Sequence, residues 1–205
     1  MSKKRDATKS KKLILENAIK LFSKNDFSSV SMDTLAKECY LNKAMIFYYF
    51  KNKKGLYNAV IIKVLDDIYN AVLEENQKYI DATDKIKSFI KCFSTYAWNN
   101  PYLASLLLRE LSHSGEISNT LFSNMKKLYK LFCGILESGD KTGEFNDASK
   151  SSMMLYFMIT GTINLMITTK TIRVEAKLND NLNTNIEFDD KKIASYLIKQ
   201  LIAII

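Results

Sequence analysis

Side chains that bind metals or act as nucleophiles are scarce in this 205-residue chain. Its three cysteines, Cys39, Cys92 and Cys133, are odd in number and far apart, with no Cys-x-x-Cys pair, and His113 is the only histidine. They predict no metal site, no disulfide framework and no cofactor, and free thiols fit a reducing cytoplasm. Clustered acids, a Gly-rich phosphate loop and nucleophile–base spacing are all missing from the sequence, so an enzyme is not expected. The chemistry the chain does carry is cationic, and it is concentrated. Residues 1–54 hold thirteen Lys or Arg against five Asp or Glu, whereas residues 55–205 hold seventeen of each, so the whole net charge of +8 lies in the first quarter. A small basic module joined to a larger neutral one is the electrostatic footprint of nucleic-acid binding.

Holding such cations against DNA takes rigid elements. Six Gly and one Pro leave few special turns, and 47% apolar residues suffice for a core, so an all-α chain with short connections is predicted. Ile14, Ala18, Leu21 and Phe22 recur at helical spacing in a first helix over 7–24. Ser31 caps a short second helix, with Asp33 at its positive end, that stops near Cys39 or Tyr40. Asn42 caps a third, running to Tyr48 or Tyr49, and a long fourth helix runs from about Lys53 to Tyr79. Two short helices joined by a three-residue turn make a helix-turn-helix, held down by the first helix. Further helices are predicted at about 84–99, 102–113, 117–138, 147–170 and 189–205, about nine in all. The chain divides into a DNA-binding domain at 1–54 and a helical ligand-binding and dimerisation domain at 55–205. No apolar signal core follows Met1-Ser2-Lys3-Lys4-Arg5.

The segment Ser151–Thr169 carries no charge over 19 residues, long enough to raise a membrane span. Thr160-Gly161-Thr162, Asn164 and the flanking hydroxyl residues argue against one, and no membrane partner is expected. A helix apolar all round is instead predicted to be buried on both sides, one against its own core and one against a second copy of the chain. The terminal helix repeats the theme, with Ile193, Tyr196, Leu197, Leu201 and Ile204 as a stripe and Ile198, Ile202 and Ile205 beside it.

One stretch has a recognisable text: Ile14-Leu15-Glu16-Asn17-Ala18 with Leu21-Phe22, then Ser31-Met32-Asp33-Thr34-Leu35-Ala36, Leu41-Asn42-Lys43-Ala44-Met45-Ile46-Phe47-Tyr48-Tyr49-Phe50 and Lys51-Asn52-Lys53-Lys54-Gly55-Leu56. In order and spacing, over about 45 residues, it strongly resembles the DNA-binding region of the TetR family of bacterial regulators. The rest is similar in outline only, at Asn100-Pro101-Tyr102-Leu103 running to Arg109-Glu110, and at Gly139 to Phe145. The resemblance implies a homodimer on double-stranded DNA with a palindromic operator, its last two long helices forming a four-helix interface. It places the third helix in the major groove, where Asn42 and Lys43 donate hydrogen bonds, Ala44 permits close approach and Met45 packs on a thymine methyl. Ser31, Thr34 and Lys53 are expected at phosphates, with Lys3-Lys4-Arg5, Lys9, Lys11 and Lys12 as an added arm.

Two departures stand out. The family usually has Gly where Tyr40 stands, so either the turn is rebuilt or Tyr40 carries backbone strain. It usually has Tyr where Phe47 stands, and Phe47 keeps a DNA-binding position without the hydroxyl, leaving part of that work to Tyr48. On burial habit Phe47 and Phe50 read as core, while Tyr48 and Tyr49 suit packing or DNA contact equally.

Met and aromatic residues are dense in the body, and such residues line adaptable apolar pockets or form plain core. Phe93, Tyr96, Trp98, Met154, Met158 and Asn164 are predicted to line a cavity beside the fourth helix that takes a small, mainly apolar or aromatic effector. Asn164, inside an apolar helix, needs a partner across a dimer, on the backbone or on a ligand. His113 suits an exposed or capping role. The leading function is a dimeric transcription regulator, a repressor released by its effector. The alternative is a TetR-like DNA-binding protein whose body binds a protein partner or no ligand.

Overall fold

The computed structural model describes residues 2–101, 104–107, 116–170 and 189–205. All regular structure among them is helical. In chain order the helices are α1 (Ser2–Lys24), α2 (Met32–Glu38), α3 (Lys43–Phe50), α4 (Lys53–Asn76), α5 (Ala82–Asn99), α6 (Glu116–Thr142), α7 (Ser152–Thr168) and α8 (Asp190–Ile202), with a 3-10 turn over Ala148–Ser151 before α7. Residues 104–107 are also helical, and Ala104, Leu106 and Leu107 are buried; the remainder of the predicted 102–113 helix, with Tyr102, Arg109, Glu110 and His113, lies outside the described residues.

Boundaries differ from the sequence reading for local reasons. Helix α1 reaches back to Ser2, through a Lys3-Lys4-Arg5 run that favours helix and with no Gly or Pro to stop it. Helix α4 stops at Asn76 rather than Tyr79, where bonds from Lys78 N to Glu75 O and Tyr79 N to Asn76 O tighten the chain into a turn. Helix α6 continues past 138 to Thr142. Gly139 lies within this last stretch, and only a glycine fits there because the Phe145 ring would be 2.0 Å from a Cβ.

Two carboxylates, Asp140 in the last turn of α6 and Glu144 just after it, tie the body together. Glu144 accepts from Ala82 N (3.0 Å) and Thr83 N (2.8 Å), capping α5 from 61–62 residues away. Those backbone donors, Thr83 first, hold its pKa down at about 2. Asp140 accepts from Ala148 N and Ser149 N, each at 2.9 Å, and Ser149 is the main cause of its lowered pKa. The core of the body centres on Phe89, Phe132 and Tyr156, with Phe89–Phe132 centroids 5.1 Å apart and Phe132–Tyr156 5.5 Å.

Helix α7 buries one of its two apolar sides within the chain, and the side expected to meet a second copy is exposed in the single chain. Leu155, Tyr156, Ile159, Ile163 and Ile167 face the core, but Met153, Met154, Phe157 and Leu165 are exposed. The stretch Ala148–Thr168 is long and apolar enough to cross a membrane, and one-third of it is buried inside the chain. One such helix is equally what a core-facing helix with a second apolar face looks like. On α8, Ile193, Leu197 and Leu201 are buried while Tyr196 and Ile202 are exposed, as is Ile204 just beyond it.

Candidate nucleic-acid interface

Helices α2 and α3 stand on a small core of their own. Leu35 and Ile46 are fully buried, with Ile14, Ala18 and Phe22 of α1 beneath them. Phe22, Phe27 and Tyr57 form an aromatic cluster, Phe22–Tyr57 edge-on at 4.8 Å, that joins α1 and the following turn to α4. At the α3–α4 junction Asn52 caps α4 by accepting from Gly55 N at 2.8 Å. Gly55 is needed at this point because a Cβ would sit 2.3 Å from the Phe50 carbonyl oxygen. The end of α3 and the start of α4 are therefore tightly coupled at this junction.

Both predicted caps form. Ser31 Oγ accepts from Thr34 N at 2.9 Å and lies 2.8 Å from Thr34 Oγ1, placing two exposed hydroxyls at the start of α2. Asn42 Oδ1 accepts from Ala44 N at 2.8 Å, which leaves its Nδ2 as the donor at the start of α3. Asn42, Ala44, Phe47 and Tyr48 are exposed along α3, Lys43 and Met45 are half-buried, and Ile46 and Phe50 anchor the opposite face. Tyr48 is 83% exposed. Phe47 corrects its core reading: it is exposed, with the Lys43 ammonium 6.0 Å from its ring. A helix presenting its N-terminus and one polar, small and aromatic face on a rigid base can meet phosphates and base edges.

The two candidate lysines already have partners within the chain. Lys43 Nζ donates to Asp33 Oδ2 at 2.7 Å, bridging α3 to α2. Lys53 Nζ donates to the Ser28 carbonyl at 3.1 Å and sits 4.6 Å from the Phe27 ring centroid. Sequence reasoning missed both pairings, since Asp33 and Lys43 lie ten residues apart in different helices.

The turn at Tyr40 decides between the two outcomes left open above. It is not rebuilt. Tyr40 has φ +52°, and its N–H donates to Lys37 O (3.1 Å) while Leu41 N donates to Ala36 O (3.0 Å). This paired closure of a helix end places its penultimate residue in the left-handed region where Gly is usual. A residue with a Cβ pays about 1–2 kcal/mol there.

Among the described residues, those predicted to line an effector cavity do not gather at one site. Phe93 is buried and stacks on Phe89 at 6.3 Å. Trp98 packs under Lys170 Nζ, 4.5 Å from the ring. Met154 is 74% exposed and faces outward, so it lines no interior cavity. Met158 and Asn164 are half-buried, and Asn164 Oδ1 is buried without a hydrogen-bond partner. Tyr96 alone of the six borders a described groove, an open one of about 440 Å³ between α4 and α5 that also involves Ala71, Glu75, Cys92, Asn99 and Asn100. Burial raises the Tyr96 phenol pKa, with Asp67 adding to it.

Residues 14–60 match the family described as "Bacterial regulatory proteins, tetR family". The chain is 29% identical over 137 residues to the "Probable HTH-type transcriptional regulator YttP" of Bacillus subtilis (strain 168), covering 64% of this chain and 65% of that protein. It is 29% identical over 77 residues to the "Biofilm operon icaADBC HTH-type negative transcriptional regulator IcaR" of Staphylococcus aureus (strain Newman), covering 38% and 41%. The matched regions thus span less than two thirds of these relatives. Among solved structures, the fold is similar to that of the transcriptional regulator FadR from Bacillus subtilis in complex with stearoyl-CoA, with a TM-score of 0.74, 20% identity and coverage of 94% and 98%.

Proposed function

We propose that this chain, whose residues 14–60 match the tetR family of bacterial regulatory proteins and whose fold is similar to that of FadR, acts as a homodimeric, sequence-specific repressor of transcription. On this reading residues 1–54 bind a palindromic operator in the cytoplasm, and residues 55–205 form the dimer and take a small, mainly apolar effector. The observation that carries it is the α2–α3 unit: two side-chain-capped helices on a buried base, with Ser31, Thr34, Asn42, Ala44 and Tyr48 exposed on a module that holds all the excess positive charge. Repression is the direction that the name of IcaR gives for that relative.

The apolar outer face of α7, Met153, Met154, Phe157 and Leu165, with Tyr196 of α8 and Ile204 just after it, supports a dimer. So much exposed apolar surface on adjacent helices calls for a protein partner, and two-fold symmetry would set two α3 helices about 34–36 Å apart. The α4–α5 groove supports effector control. An effector there touches the helix that holds α3 through the Gly55 junction, and it shifts the DNA equilibrium if it binds the two α4 positions unequally. FadR holding stearoyl-CoA in this fold supports an apolar effector for this chain.

The test is selection of bound duplexes from genomic fragments by the purified protein, followed by salt titration. One symmetric motif, with affinity falling steeply as salt rises, is the expected outcome. Equal retention of all fragments would refute sequence-specific repression.

A further inference from the structure

Tyr40 is expensive where it stands and gives the fold nothing in return. Its φ of +52° lies in the region that L side chains rarely adopt, and its side chain is 95% exposed. No packing within the chain offsets the strain. The two hydrogen bonds that close α2 at this turn are both backbone bonds, from Tyr40 N and Leu41 N, and a glycine would make them equally well. Strain of this kind, kept at a surface position, points to something outside the folded chain that the side chain touches.

Its surroundings say what. Tyr40 lines one shallow concavity with Asp33, Lys37 and Lys43, on the side of the α2–α3 unit where the candidate base-reading helix begins three residues later. Lys43 is held by Asp33 at 2.7 Å, so the Lys37 ammonium is the charge left to draw an anionic partner to this rim, and a phenol is a neutral donor well suited to a phosphate oxygen. We propose that Tyr40 is a DNA-binding residue whose hydroxyl donates a hydrogen bond to a backbone phosphate at the edge of the groove that α3 enters. The inference rests on the operator-binding reading above and adds to it a contact that a glycine at this turn could not make.

The experiment compares wild type, Tyr40→Phe and Tyr40→Gly on the selected operator and on a random duplex, across a salt series. Tyr40→Phe keeps the ring and the backbone strain and removes only the hydroxyl. Both variants are expected to lose about tenfold or more in affinity, the scale of a hydrogen bond to a charged group, and to lose it alike on both duplexes. The slope of log affinity against log salt stays that of wild type, because a phenol displaces no counterion. Tyr40→Gly is expected to melt at or above the wild-type temperature while binding more weakly, a pairing of signs that a merely structural residue would not give. Wild-type affinity in Tyr40→Phe overturns the proposal whatever Tyr40→Gly does. If wild type itself binds no duplex, the repressor reading falls and this contact with it; if wild type binds and Tyr40→Phe matches it, only the contact falls.

Discussion

Replacing Gly55 by Ala tests whether α4 sets the position of α3. The added Cβ would lie 2.3 Å from the Phe50 carbonyl oxygen and 3.5 Å from Asn52 Oδ1. The first contact is more than 1 Å too short, so the α3 end and the first turn of α4 must separate. That movement also loads two hydrogen bonds at the junction, Asn52 N to Phe50 O at 2.7 Å and Gly55 N to Asn52 Oδ1 at 2.8 Å. Alanine gains about 1 kcal/mol in a helix over glycine. Against this stand about 1–3 kcal/mol for forcing extra volume into a packed contact and about 1 kcal/mol for each weakened bond. The balance is a destabilisation of about 2–4 kcal/mol, and at about 2–4 °C per kcal/mol for a chain of this size the melting temperature falls visibly. Gly134→Ala is the control. Gly134 is exposed within α6 and an added Cβ meets nothing within 4 Å, so the same substitution gains up to about 1 kcal/mol. Thermal melting followed by circular dichroism, at one protomer concentration because dimerisation contributes to stability, reads both. Opposite signs are expected, with weakened operator binding in Gly55→Ala only. A Gly55→Ala protein that melts at or above wild type would refute the tight junction and the control of α3 by α4.

The other expectations concern charge and assembly. Glu144 has its pKa lowered from 4.5 to about 2 in the folded chain, so its stabilising effect is complete above about pH 4.5 and disappears as pH falls towards 2. Glu144→Gln should therefore melt lower at neutral pH and lose less on acidification across that window, as melting curves against pH would show. Phe157→Glu puts a charge on the exposed apolar face of α7 and is expected to give monomers in sedimentation at micromolar concentration; an unchanged dimer would move the interface elsewhere. Lys53→Ala should weaken binding to every duplex and flatten the salt slope by about one unit of log affinity per log salt. Lys43→Ala should instead change preference among operator variants, by about 1–3 kcal/mol at one base pair; uniform weakening would make Lys43 a phosphate contact.

Local chemistry was legible in the sequence, and contacts between distant segments were not. Ser31 and Asn42 could be read as caps because a capping side chain bonds a backbone N–H two or three residues ahead, within the same few residues that signal it. The helix-turn-helix and the charge confined to residues 1–54 were legible for the same reason. The capping of α5 was not: Asp81 precedes that helix but makes no side-chain cap, and Glu144 arrives from another element. Lys43 was assigned to bases on its position alone, and only the packing of α3 on α2 showed it bonded to Asp33. For Tyr40 the sequence posed the alternative between a rebuilt turn and strain, and the geometry of the α2 ending chose strain. Helix α7 marks the limit most plainly. Amphipathic periodicity tells which face of a helix is buried, and a helix that is apolar all round carries no such signal. Met154 and Met158, four residues apart, therefore looked equally interior. What separated them, one outward and one half-buried, was the docking of α7 against α5 and α6, a free-energy minimum of the assembled body that no single helix contains.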